Sequence, residues 1–200
     1  MQKRANLLLT IGISMTMGLL AKDQHVTILD KTFTPSISHT TISARVAQLG
    51  AQITTDYAGK KPILIGVLNG AFIFLADLAR AIDLDCTIDF IQVGSYGEST
   101  TSSGAIKLTQ DIKCSITDQD IIIVEDIVET GLTMKFLIDH LSQAHPRSIR
   151  IATLLHKNVT PLNFAIDYVG FDIAPEFVIG YGLDYAQAAR NLKDIYKLAE

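Results

Sequence analysis

Two hundred residues, 48% hydrophobic and 19% charged, describe a folded chain long enough for one domain with a real core, and exclude a disordered polymer. The net charge of −4, without any cluster of Lys or Arg, argues against a general nucleic-acid binder, which needs a basic face. Two cysteines, Cys86 and Cys114, fit neither a metal spacing nor a disulfide framework, and the histidines include no HExxH pair, so reduced cytosolic thiols and no zinc site are expected.

The chain opens MQKRANLLLTIGISMTMGLLAKD, a basic start followed by no charge over residues 5–21. It has the look of a secretory signal, but Leu19 spoils the cleavage site and the run is short for a membrane span. The competing reading is an upstream extension, with Met15 or Met17 as alternative starts. Residues 31–38 read as a loop. Ile42, Val46, Leu49, Ile53 and Tyr57 then recur at helical spacing and predict an amphipathic helix ending near Gly59. PILIGVLNG predicts a buried strand, residues 71–82 a helix, and residues 86–93 an alternating strand. SYGESTTSSGA is polar and rich in Gly, Ser and Thr, which suits a hairpin tip or a mobile lid. Strands follow near residues 106–108 and over 120–127, then a helix over 131–143 and a strand over 148–155. Shorter strands are expected near 165–170 and 177–179. Strands alternating with helices predict an α/β fold with a mostly parallel twisted sheet flanked by helices.

One stretch carries the chemistry. In IIIVEDIVETGLTM, four apolar β-branched residues suit a central strand, and Glu125, Asp126 and Glu129 fall at its carboxyl end. Ligands of open parallel sheets bind on that side. Glu125 and Asp126 are neighbours, so an extended backbone sends them to opposite faces of the sheet. Thr130, Gly131, Leu132 and Thr133 then lead into a helix, whose free amides and dipole suit a phosphate. The pattern fits a ligand with hydroxyls or a metal at one end and a phosphate at the other, such as a sugar phosphate. The bland alternative is a capped helix with good first-turn residues.

VEDIVETGLT resembles the phosphoribosyl diphosphate signature of type I phosphoribosyltransferases, and VED resembles the purine branch. VLNGAFIFLADL resembles that family's pyrophosphate loop, VGSY with its Ser/Thr-rich sequel its flexible loop, and LLHK and FVIGYGLDYAQAARNL the purine hood of hypoxanthine(-guanine) phosphoribosyltransferases. The segments stand in the family's order and cover roughly residues 37–198. The resemblance implies a single domain over residues 31–200 with a small hood subdomain, and an extension outside the catalytic fold over residues 1–30.

It also implies transfer of a phosphoribosyl group from 5-phosphoribosyl diphosphate to hypoxanthine, and guanine, with Mg²⁺ as cofactor. By the same resemblance Glu125 and Asp126 hold ribose hydroxyls and magnesium, and Thr130, Gly131 and Thr133 hold the 5′-phosphate. Glu129 takes the acid/base position, where the family usually has Asp. Leu68, Asn69 and Gly70 form the pyrophosphate loop, with Asn69 where the family typically has Lys or Arg and with a cis Leu68–Asn69 peptide expected. Lys157 matches the lysine that reads the exocyclic oxygen of a 6-oxopurine, Phe177 the residue that stacks on the base, and Val178 the backbone that reads its edge. Asp184 matches a residue of the base and second-metal site, Arg190 a pyrophosphate contact, and Ser95 and Tyr96 the start of the lid. A homodimer or homotetramer in the cytoplasm, with no nucleic-acid or membrane partner, completes the expectation. A xanthine-preferring relative and an RNA-binding regulator on the same fold are the alternatives.

Overall fold

The structure, a computed structural model, describes residues 25–95 and 106–199. Among these, six strands form the main sheet: β3 (Ile63–Leu68), β4 (Thr87–Ser95), β5 (Ile106–Gln110), β6 (Asp120–Val128), β7 (Ser148–Lys157) and β8 (Tyr168–Ile173). Their spatial order is β5-β4-β3-β6-β7-β8. All neighbours pair in parallel except β5, which runs antiparallel to β4 at one edge.

Strand β6 is central, which explains its unbroken apolar run. Successive side chains alternate across a sheet, and both faces here are covered. Ile122 and Val124 pack in the cluster formed by helices α1 (His39–Asp56) and α2 (Phe72–Ala81), while Ile121 and Ile123 pack beneath helix α3 (Leu132–Ser142). The helical spacing read in α1 is the buried stripe itself: Ile42, Val46, Leu49 and Ile53 are all buried. Ser38 caps that helix, its hydroxyl accepting from the Thr41 amide at 3.2 Å.

A second, four-stranded sheet forms the hood. Its order is β1 (Val26–Ile28), β2 (Lys31–Ile37), β10 (Ile195–Leu198) and β9 (Val178–Ile179). The stretch 31–38, expected to be a loop, is therefore mostly strand β2, and β10 is a strand that sequence periodicity did not signal. The reason is physical. Of β2 only Phe33 is fully buried, Pro35 interrupts the pattern, and one of its two pairing partners, β10, comes from the far end of the chain. The boundary expected at residue 30 falls at the turn of the β1–β2 hairpin, where Leu29 adopts φ 53°. Residues 1–24 of the expected extension lie outside the described residues.

Candidate functional site

The carboxyl ends of β3, β6 and β7 converge beneath the hood. Glu125 lies inside β6 and is buried, in register with Thr153 of β7. Glu125 faces the start of α3, on the side of Ile121 and Ile123, while Asp126 Oδ2 lies beside Gly70 just ahead of α2, so the neighbours leave the strand toward opposite faces as alternation predicts. The longer Glu125 side chain folds back far enough for its Oε1 to accept from the Asp126 amide at 3.3 Å. Burial, and then the adjacent Asp126 carboxylate, push Glu125 well above the usual carboxylate range. Burial also raises Asp126, against the opposing pull of hydrogen bonds and of the nearby Arg190 charge.

After β6, Gly131 carries φ 74°, the left-handed conformation glycine tolerates best. A Cβ there would fall 2.6 Å from Leu162 Cδ2. No side chain caps α3 in the usual way; the closest is Thr130 Oγ1, 3.5 Å from the Leu132 amide. The first-turn amides of α3 therefore stay available to an anion. Glu125 and residues 127–134 line a cavity of about 120 Å³ at this point, so Glu129, Thr130, Gly131 and Thr133 share one concavity with Glu125.

Glu129 is exposed but does not belong to the helix's first turn. It precedes α3, and its carboxylate takes a 2.9 Å hydrogen bond from the buried Lys157 ammonium at the end of β7. Acceptor and donor thus stand side by side where strands β6 and β7 end.

The loop after β3 closes the other side. The Leu68–Asn69 peptide is cis. Gly70 approaches so closely that a Cβ would lie 1.6 Å from Asp126 Oδ2, which bars any side chain there. Asn69 contributes no charge, and its Oδ1 is approached by the amide of Gln92 at 3.4 Å. Gln92, the β4 residue paired with Leu68, is a site neighbour that motif reading did not single out.

In the hood, Arg190 and Asp184 form an ion pair at 2.8 Å, and Arg190 also donates to the Gly182 carbonyl at 2.9 Å. Asp184 Oδ2 accepts from the Gln187 amide at 2.7 Å. Phe177 is 44% exposed, and its ring neighbours are Phe33 and Tyr185. The Phe177 carbonyl accepts from Leu198 of β10. By alternation, the Val178 peptide groups point the opposite way, toward the free edge of β9. Ser95 ends β4, while Tyr96 and the rest of the expected lid lie outside the described residues.

No group of three or more His, Cys, Asp or Glu side chains is arranged to hold a metal ion among the described residues. The paired carboxyls of Glu125 and Asp126 nevertheless offer only oxygen ligands, and a buried acidic pair suits a hard divalent cation. No helix among the described residues is long and apolar enough to cross a membrane.

Comparison with known proteins agrees with this geometry. The phosphoribosyl transferase domain family matches residues 38–186. The hypoxanthine-guanine phosphoribosyltransferase of Mycobacterium avium is 47% identical over 161 residues, spanning 77% of this chain and 79% of that protein. The Bacillus subtilis protein of the same name is 44% identical over 157 residues, 78% and 87% of the two chains. A crystal structure of a hypoxanthine-guanine phosphoribosyltransferase from Bacillus anthracis superposes with a TM-score of 0.78 at 42% identity, covering 82% of this chain and 98% of that one.

Proposed function

The chain belongs to the hypoxanthine-guanine phosphoribosyltransferase family, and on that premise we propose that it moves the phosphoribosyl group of 5-phosphoribosyl diphosphate onto hypoxanthine, and onto guanine, releasing pyrophosphate in purine salvage. The observation that carries this reading is the single concavity joining the buried Glu125 to the uncapped start of α3. One end suits ribose hydroxyls, the other a phosphate dianion.

Each residue has a part in such a transfer. The amides of the first turn of α3, with the Thr130 and Thr133 hydroxyls, hold the 5′-phosphate. Glu125 and Asp126 accept from the ribose hydroxyls. Magnesium, held by Glu125 and Asp126 with Asp184 at a second position, supplies charge neutralisation of the pyrophosphate when bound. Arg190 and the amides of Leu68, Asn69 and Gly70 orient the departing pyrophosphate. With Asn69 neutral, Arg190 carries more of that charge complementarity. Phe177 stacks on the purine while the Val178 peptide reads its edge.

The Glu129–Lys157 pair addresses both the 6-oxo group and N7. The Lys157 ammonium donates to an exocyclic oxygen, and adenine offers an amino donor there instead, which leaves the lysine unmatched. Glu129 takes the proton from purine N7 as the glycosidic bond forms. A glutamate in this role reaches further than an aspartate by one methylene, and its carboxylate accepts from Lys157 at 2.9 Å. Closure of the 95–104 segment over the centre would keep water from the oxocarbenium-like state.

We infer further that the protein acts in the cytoplasm, where its phosphate co-substrate is made, and assembles as a homodimer or homotetramer. Exposed Phe72 and Ile88 are apolar residues consistent with a subunit contact. Cell fractionation and light scattering of the purified protein test these two points.

Pyrophosphate release measured in parallel with hypoxanthine, guanine, xanthine, adenine and uracil tests the function. Turnover with the first two is expected. Preference for xanthine would move the chain to a sister specificity, and turnover with uracil alone, or with no base, would overturn the reading.

A further inference from the structure

The hairpin that precedes α1 reaches across the hood to the back of the proposed base platform. Tyr185 follows Asp184 in a tight turn, its amide and carbonyl both bonded to Ala188 at 3.1 and 2.9 Å. Its hydroxyl donates to Asp30 Oδ1 at 2.7 Å, across 155 residues of sequence. Lys31 Nζ stands 5.4 Å from the centre of its ring. The ring is therefore held at its backbone, its face and its tip. Its edge then meets the Phe177 ring in a T-shaped contact, centroids 5.8 Å apart and planes at 84°. The fully buried Phe33, from the same hairpin as Asp30, touches both rings at 6.2 and 6.3 Å.

We propose that Tyr185 and Asp30 are positioning residues that set the tilt of Phe177, so that the β1–β2 turn, through one hydroxyl–carboxylate bond, tunes affinity for the purine. The inference rests on the purine reading of Phe177 above. Phe177 is 44% exposed and has no covalent restraint on its ring rotation. Edge-to-face contact with a ring tethered at its hydroxyl and backbone is what holds one orientation, because quadrupole matching favours the T-shaped geometry over a sandwich. Asp30 lies outside the residues matched by the family, which span 38–186.

The test is steady-state kinetics on the full chain, beside variants Tyr185→Leu, Tyr185→Phe, Asp30→Ala and the double variant Tyr185→Phe/Asp30→Ala. Tyr185→Leu is expected to raise KM for hypoxanthine about fivefold, the size of one lost aromatic pair. Its KM for 5-phosphoribosyl diphosphate and its kcat should stay within about twofold of the parent. Tyr185→Phe and Asp30→Ala, which keep the ring or leave it untouched, should each raise the hypoxanthine KM by about two- to threefold, and the double variant no further than either single one. A fold scaffold with no positioning role would move both KM values together, and that result overturns the proposal. So does an unchanged hypoxanthine KM in Tyr185→Phe and Asp30→Ala, or multiplying effects in the double variant. A parent that turns over no purine would instead bring down the functional reading, and this one with it.

Discussion

The two ends of strand β6 present the same chemistry with opposite outcomes. At its start Asp120 is buried, and at its far end Glu125 is buried too. Burial alone would raise both. At Asp120 it is outweighed by the Ser148 hydroxyl at 2.6 Å and the charges of Lys60 and Arg147, so the carboxyl is held below its usual range. Among the described residues no cation offsets Glu125; burial and the adjacent carboxyl outweigh its bond from the Asp126 amide, and it is pushed up. The first end is satisfied by the protein. The second is left for something that the protein does not itself contain. A buried acid satisfied from within is architecture, and one left short of partners marks where a ligand belongs.

Substitutions can break this contrast. Removing the proposed acid/base with Glu129→Gln should lower kcat by about 10²–10⁴-fold, with little change in the urea midpoint. Glu129→Asp should retain far more activity. A mild effect of Glu129→Gln would place the proton transfer elsewhere. At the opposite end Asp120→Ala should cost about 2 kcal/mol in urea unfolding, since Ser148 and Arg147 lose their partner, while kcat per folded molecule stays level. A kinetic defect without a stability defect would erase the distinction between the two ends. Lys157→Gln should narrow the preference for hypoxanthine over adenine by about tenfold, read as the ratio of kcat/KM values.

The smallest effect concerns pH. A glutamate raised in the fold is protonated in both states below its ordinary pKa of about 4.3, so it costs nothing there. As pH rises through that value the unfolded chain ionises while the folded one holds its proton. The parent then loses stability until the folded value is reached. Glu125→Gln, neutral at every pH, should therefore melt higher than the parent near neutrality in magnesium-free buffer. The gap should close in acid, at the expense of turnover. A gap that is constant with pH, or widest in acid, would mean that Glu125 is not raised.

Most of the main sheet was legible before any coordinates. The run 121–124 announced a strand covered on both faces, and the stripe from Ile42 to Ile53 announced α1, because burial repeats with the period of the backbone. VEDIVETGLT placed an acidic strand end ahead of a helix start. The hood was not legible. Three of its four strands are short, β9 being only Val178–Ile179, and the β2–β10 pairing that joins its two halves links segments more than 100 residues apart. Val178 could be named only through resemblance, and Tyr185 not at all, since nothing local in GYGLDYAQ shows that Asp30 will meet its hydroxyl.

What the sequence determined by itself was therefore what is written in adjacent residues: periodic burial, a helix start after the strand, the acids following an apolar strand. Only the tertiary structure decided that Glu125 turns toward Asp126, that Glu129 pairs with Lys157, and that a hairpin at the start of the described chain braces an aromatic ring near its end. Those are distances between groups far apart along the chain or free to rotate. Local sequence constrains which backbone forms, but it does not say which side chains the completed fold will bring within hydrogen-bonding reach.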